Sequence, residues 1–351
     1  FYLFILLAAG LTAVARMVAL LAPIPLWLTA SVVMAATLIY TFYGGLRASI
    51  YTDKLQMIVI APMLGLLLVF GWQAAGGVAP TLAGLRETAP HLLQIGDTGG
   101  LRAGLTFFLA VALTNLFYQG TWQRVYAARD SKVLRRGFWI SGICNFVVVG
   151  LMGAFGLAFV GLGLEGDGSV ALFSVLLAEV PVWFALALIP LGLALVMSSA
   201  DSTISATSSI IAVDMGRLMP GAGDATLMTL ARWLIVLAAV PVIWVAAQGY
   251  SVLYLFLLAD LLCSAAAFPV FFGLFHRRYT GLNAVISTSC GLVAGLAMFP
   301  APGAGLGTLL ESFLLAALVP VGVSLVLLRL LPDREAYDFS LLRASVRRFR
   351  G

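Results

Sequence analysis

Apolar residues fill this chain in runs of about twenty, separated by short turns rich in glycine, proline and arginine. A run of that length crosses the roughly 30 Å hydrocarbon core of a bilayer as a helix. Ten such runs stand out, near 1–22, 26–43, 48–72, 104–125, 138–163, 183–213, 227–247, 251–275, 283–300 and 309–331. Their period is helical or absent, and no ten-residue segments alternate as an outer-membrane barrel requires. The pattern predicts an all-α integral membrane bundle over 1–331, followed by a basic tail over 332–351. The chain opens "FYLFILLAAG", already in hydrocarbon, without a Met or a polar leader, and is expected to lack its natural start.

Composition agrees with this pattern. Of 351 residues, 62% are hydrophobic and 10% charged, where a soluble domain carries about 25% charge. Mean hydropathy is +1.06. The net charge of +5 is placed in alternate turns. Arg47 and Lys54 flank one, Arg124, Arg129, Lys132, Arg135 and Arg136 fill the next, and Arg217, Arg232, Arg277 and Arg278 follow, with the tail last. Basic turns mark the cytoplasmic side, so the C-terminus is expected inside, in a bacterial inner (plasma) membrane. The same rule accounts for the positive charge without a nucleic-acid partner. Cys144, Cys263 and Cys290 fall in three different runs without ligand spacing and read as small buried apolar residues.

One segment breaks the hydrocarbon: "LALVMSSADSTISATSSIIAVDM", Leu193 to Met215. On a helix, Ser198, Ser202, Ser205 and Ser209 form one stripe, Asp201 lies beside it, and Ser199 lies about 100° to the other side. Close helix packing explains small hydroxyl residues. It does not explain Asp201, since an acid at mid-membrane costs about 2.5–3.5 kcal/mol. Hydroxyls and a carboxylate are hard oxygen donors, suited to a small hard cation. No His or Lys stands in the segment to activate a serine, which argues against hydrolase chemistry.

Two further segments carry polar groups into the runs. In "YTFYGGLRASIYTDKLQ", Tyr40 to Gln56, two helices meet at Gly44–Gly45, and Asp53 and Gln56 follow. Asp53 also reads as an acid at the membrane interface, solvated or paired with Lys54. In "TNLFYQGTWQRVYAARDSKVLRRG", Thr114 to Gly137, the i, i+4 spacing predicts Asn115, Gln119 and Gln123 on one face of a single helix. That face would line a water-filled path, or belong to an inner-interface belt with snorkelling basic residues.

Taken together, the three segments resemble the sodium/solute symporter family of sodium-coupled sugar, proline and sialic-acid carriers. The resemblance is carried by Gly44–Gly45 with Thr52–Asp53 and Gln56, by Gln119 with Gln123–Arg124 and Ala127–Ala128, and by Ser198–Ser199 with Asp201–Ser202 and Asp214. It implies a LeuT-type bundle of two inverted five-helix repeats, with N-terminal spans missing from this chain, including the broken first core helix. It also implies a sodium held by the Leu195 carbonyl and the Ser198 and Ser199 side chains. A second sodium would use Asp53, Asp201 and Ser202. Candidate solute contacts are Thr114, Asn115, Gln119, Asn145 and Asp260. Sugar carriers of the family place an aromatic gate where Thr114 stands here, which argues against a sugar. Asp260 either faces an amine or bonds Ser264 one turn on. The expected function is sodium-coupled import of a small polar organic solute by alternating access, with sodium ions, the solute and the lipid bilayer as partners and no enzymatic activity. A transporter-like sensory domain and a proton-coupled carrier stay open as alternatives.

Overall fold

The structure, a computed structural model, describes residues 1–164 and 182–330 together with Ala171, Leu172, Val175 and Asp338. Apart from Asp338, the expected tail over 332–351 lies outside the described residues. Those residues form α1 (Tyr2–Leu21), α2 (Leu26–Ala74), α3 (Val78–Thr88), α4 (Thr98–Thr114), α5 (Gln119–Ala127), α6 (Ser131–Gly161), α7 (Val182–Leu218), α8 (Asp224–Ala247), α9 (Val252–Gly273), α10 (Gly281–Met298) and α11 (Leu309–Leu330). No strand occurs among the described residues, and the molecule is an integral membrane helical bundle.

Two breaks shape the bundle. Helix α2 has 49 residues, roughly 74 Å at 1.5 Å per residue, more than twice what a bilayer core needs. Gly45, at φ 55° and ψ −145°, interrupts it and divides it into two spans. Only glycine adopts that backbone readily, so the Gly44–Gly45 turn expected from the sequence is present. The second break corrects an expectation. The fourth apolar run is not one helix, because α4 and α5 meet at 49°. Its cause is local. Trp122 Nε1 donates to the Leu116 carbonyl at 2.9 Å, and the Phe117 N–H turns back to Thr114 O at 2.9 Å, so the i to i−4 ladder does not run through this joint. Eight described helices are long and apolar enough to cross a membrane, nine with the bent pair taken as one. The division of α2 restores the ten runs of the sequence.

Helix α1 sits at the centre. Leu11, Val14 and Met17 meet Val33 and Met34 of α2, Ile204 of α7 and Val242 of α8 in the main apolar core. Ile5 and Ala9 meet Leu255 and Ala259 of α9. A second core joins Ala110 of α4, Leu257 and Leu261 of α9, and Phe313 and Ala316 of α11. Cys263 is buried as expected, whereas Cys144 and Cys290 are exposed, since the outward faces of α6 and α10 meet no other described helix there. Outside the apolar runs, Asp130 caps α6. Its carboxyl is held below the usual carboxylate range by the Val133 N–H, with Arg129 beside it.

The tightest seam lies between α10 and α11. Ser287, Gly291 and Gly295 recur every four residues along α10 and face Ser312, Ala316, Pro320 and Ser324 of α11. Without a hydrophobic drive inside lipid, helices associate through close packing and hydrogen bonds. Ser312 Oγ donates to Gly295 O at 2.7 Å, and the hydroxyls of Tyr279, Ser287 and Ser324 form one buried chain. A Cβ on Gly291 meets the Pro320 ring and the Ala316 carbonyl, while one on Gly153 of α6 meets nothing. Gly291→Val should therefore lower stability by about 1–3 kcal/mol, while Gly153→Ala should be near neutral. Thermal unfolding of the purified protein in detergent compares them.

Candidate functional site

The serine-rich segment lies in α7 and presents two faces. The first turns toward the middle of α2, around the Gly45 break. Asp201 is completely buried, and its carboxylate is ringed by hydroxyls. Ser49 donates to Oδ1 at 2.8 Å and Tyr40 to Oδ2 at 3.0 Å, while the hydroxyls of Thr52, 3.1 Å from Oδ2, and Ser202, 3.2 Å from Oδ1, are shared with main-chain carbonyls one turn back. These donors come from α2 and α7, and Ser49 and Thr52 reach in from the turns just beyond the Gly45 break. Sequence reasoning missed Tyr40 and Ser49. The one available signal was that Ser49 stands four residues before Asp53.

Asp53 and Arg124 complete this face. Arg124 Nη2 donates to Asp53 Oδ2 at 2.7 Å and to Ser202 Oγ at 2.7 Å. Ser198 Oγ donates to Asp53 Oδ1. The cation standing between Asp53 and Ser202 in this conformation is thus a guanidinium, at the position the family resemblance gives to a second sodium. Arg124 reaches it because α5 is bent away from α4 and packs against α7. Gln123 fixes that packing by donating to Ser209 Oγ at 2.8 Å and to Ser205 O at 3.3 Å. The expected serine stripe is therefore real, and it is engaged from Ser198 to Ser209 by α2 and α5.

The other face of α7 is open. Leu195, Ser199 and Thr203 line a cavity of about 440 Å³ together with Tyr2 of α1, Asn115 and Tyr118 of the α4–α5 joint, and Phe256 of α9. Ser199 Oγ donates to the Leu195 carbonyl at 3.2 Å, and Thr203 Oγ lies 3.4 Å from the Tyr118 hydroxyl. Leu195 and Ser199, one turn apart on α7, both line this cavity. Ser198 does not join them, because its hydroxyl is turned to Asp53 on the first face.

The remaining candidates separate. Gln119 and Gln123 line a different cavity of about 600 Å³, with Tyr126, Ser209 and Asp214. Asn115 ends α4, its Nδ2 donating to Val111 O at 2.8 Å, so the single face predicted for Asn115, Gln119 and Gln123 does not exist. Thr114 and Asp260 are both buried and adjacent, beside Cys263 and Tyr2. Asn145 is exposed on α6 and is not brought to either cavity. Among the described residues no cluster of three His, Cys, Asp or Glu could hold a metal ion, and the available oxygen donors are the hydroxyls and the two acids of α2 and α7.

A helical bundle with hydroxyls, carboxylates and a carbonyl turned inward at midspan is the architecture of a secondary transporter. The model of the sodium:solute symporter family matches residues 1–291, and the chain belongs to that family. Its members are carriers, not enzymes, and sodium is their co-transported ion. The chain is 28% identical over 267 residues to the spermidine transporter of Candida albicans, covering 75% of this chain and 49% of that protein. It is 25% identical over 330 residues to the sodium/mannose cotransporter of Bos taurus, covering 80% and 55%. Identity to the sodium/pantothenate symporter of Haemophilus influenzae is 30% over 183 residues, covering 50% of this chain and 37% of that protein. The chain spans about half the length of the first two relatives and a smaller share of the third.

The hydroxyl ring has a consequence for stability. Ser49→Ala leaves the fully buried Asp201 carboxylate one donor short, and should destabilise the protein by about 1–3 kcal/mol. Ser199→Ala, at an open cavity wall, should change stability little. Melting temperatures of the two variants, measured in detergent without sodium, give the comparison.

Proposed function

We propose that the protein carrying this chain imports a small polar organic solute by alternating access, driven by sodium. One observation carries this reading. In a chain of this family, Leu195 and Ser199 line a cavity bounded by α1, α7, α9 and the α4–α5 joint, and the Ser199 hydroxyl stands against the Leu195 carbonyl. Neutral oxygens suit a small hard cation, which keeps its charge in the site. Ser198 joins the shell if its hydroxyl turns from Asp53 to the ion. Sodium bound there biases the helices toward the state that accepts solute, and raises solute affinity by linkage. The relatives are named for a polyamine, a sugar and pantothenate, which differ in charge, so their names do not select the solute of this chain.

Arg124 gives the Asp53–Asp201 cluster a distinct role. Its guanidinium neutralises Asp53 and blocks the approach to Ser202. A second sodium at Asp53, Asp201 and Ser202 requires Arg124 to withdraw, so in our reading the ion and the guanidinium compete for the same oxygens. The orientation with a cytoplasmic C-terminus belongs to the same proposal and rests on the basic turns.

Uptake into proteoliposomes by the natural full-length protein, with sodium replaced by potassium at fixed pH and voltage, tests the main reading. Solute should accumulate only with sodium, and equal uptake in potassium would overturn sodium coupling. Ser199→Ala should raise the sodium concentration for half-maximal uptake by about tenfold, the scale of one lost ligand. Arg124→Gln should lower that concentration, because removal of the competing cation leaves Asp53 to the ion. An Arg124→Gln variant with wild-type sodium dependence and a lower melting temperature would make the ion pair purely structural.

A further inference from the structure

The turn from α5 into α6 holds more positive charge than its neighbours neutralise. Arg129, Lys132, Arg135 and Arg136 follow one another closely, with Asp130 as the single acid among them. Asp130 is already engaged. It accepts from the Val133 N–H at 2.8 Å, which caps α6, and pairs with Arg129 at 3.1 Å. No ion pair among the described residues includes Lys132, Arg135 or Arg136. Other arginines at the ends of the spans do have acids: Arg124 has Asp53, Arg102 has Glu311, and Arg217 lies 3.9 Å from Asp214.

A groove lies directly under these charges. Lys132, Arg135 and Arg136 follow i, i+3, i+4 and so share one side of α6. Arg135 lines a cavity of about 320 Å³ with Ser131, Leu134, Phe138 and Trp139. All five residues belong to α6, so the cavity is an open groove on the helix surface. Phe138 is 54% exposed and Trp139 70%. One turn further in, a Cβ added to Gly142 would meet nothing, which leaves a notch, and Phe146, 82% exposed, stands below it. From Arg135 to Phe146 the helix rises roughly 16 Å, about half of the 30 Å hydrocarbon core. The groove therefore has the depth of one leaflet, with cations at its mouth, rings beneath them and an apolar floor. The rule that gathers basic residues on one side of a membrane accounts for a charged turn. It does not account for an arginine that lines a groove with two exposed rings below it.

We propose that the start of α6 is a binding site for an anionic phospholipid. Arg135 takes the headgroup phosphate, flanked by Lys132 and Arg136, and an acyl chain lies along Phe138, Gly142 and Phe146. A guanidinium matches a phosphate with two parallel N–H bonds, and the Ser131 hydroxyl stands beside it as a further donor. Each Lys or Arg next to a membrane helix strengthens association with anionic lipid by roughly fivefold. A zwitterionic headgroup gains less, because its own ammonium is repelled by the three cations. Trp139 then sits at the boundary of headgroup and hydrocarbon, where indole rings collect. Only Ala128, Arg129 and Asp130 separate α6 from α5, so a lipid held here also anchors the end of α5 that carries Arg124. The inference depends on neither sodium nor the solute.

Quenching of tryptophan fluorescence by brominated lipids tests it. The full-length protein is reconstituted into phosphatidylcholine vesicles that contain brominated phosphatidylglycerol or brominated phosphatidylcholine, and the signal of Trp139 is the difference from the Trp139→Phe variant. Brominated phosphatidylglycerol should quench that signal at a lipid fraction at least about fivefold lower than brominated phosphatidylcholine. Arg135→Gln should reduce the preference by about fivefold, and so should the double variant Lys132→Gln/Arg136→Gln. Arg278→Gln, in a different basic turn, should leave it unchanged. Should Arg135→Gln fail to fold, the wild-type preference and the double variant decide. Equal quenching by the two lipids, or a preference that survives both sets of substitutions, overturns the inference. An equal loss in Arg278→Gln overturns it too, since the effect would then be a general surface potential. Inorganic phosphate, compared with chloride at the same ionic strength, separates the two sources of the anion. A preference that persists in phosphate upholds the lipid site, and one that phosphate abolishes makes it a site for a free anion instead.

Discussion

A carboxylate inside a bilayer must be solvated by the protein, because water is absent and every unpaired charge costs several kcal/mol. Asp201 is fully buried, and the local geometry follows from satisfying it. Four hydroxyls converge on two oxygens. Three of them come from α2, and they straddle the Gly45 break, Tyr40 before it and Ser49 and Thr52 after it. A straight helix of this length could not bring all three to one point, since Tyr40 and Thr52 lie about 18 Å apart along an ideal helix axis. The glycine break and the buried acid are thus two parts of one arrangement.

Arg124 extends the same logic to Asp53. The ion pair is half-buried, so it is screened less than a surface pair and more than a core pair. Its worth lies in geometry more than in energy. One nitrogen bonds both Asp53 and Ser202, which ties α5 to α2 and α7 at once. The face of α7 opposite to these bonds is turned to a cavity, which Leu195 and Ser199 line. A single helix thus separates a buried polar network from hydroxyls at a cavity wall.

Much of this was legible in the sequence. Run length alone fixed the spans, and the Gly44–Gly45 pair marked the division of α2. The serine stripe followed from the 3.6-residue period, and its contacts with Asp53, Arg124 and Gln123 confirm that one face is shared. The joint between α4 and α5 was not legible. Residues Asn115 to Tyr118 contain neither glycine nor proline, and the break depends on Trp122 taking the Leu116 carbonyl, a contact that propensity does not show. The divergence of Ser198 and Ser199 was visible as an angle, but the partners that exploit it come from distant parts of the chain. Asn145 carried a polar side chain into an apolar run, and nothing in its neighbourhood could tell that its face turns outward.

The shortness of α5 has a mechanical meaning. It has nine residues and joins α4 through the four-residue joint, so its tilt is not enforced by a continuous backbone ladder. Arg124 lies about 9 Å along the axis from Tyr118 at the end of that joint, at 1.5 Å per residue. A swing of about 20° carries it roughly 3 Å, as far as one hydrogen bond is long. The lever is therefore long enough for a small rotation to disengage both of its contacts in a single step. Rotations of that kind belong to the microsecond-to-millisecond range, the tempo at which a positive charge would leave and re-enter the midst of the membrane's two neighbouring acids.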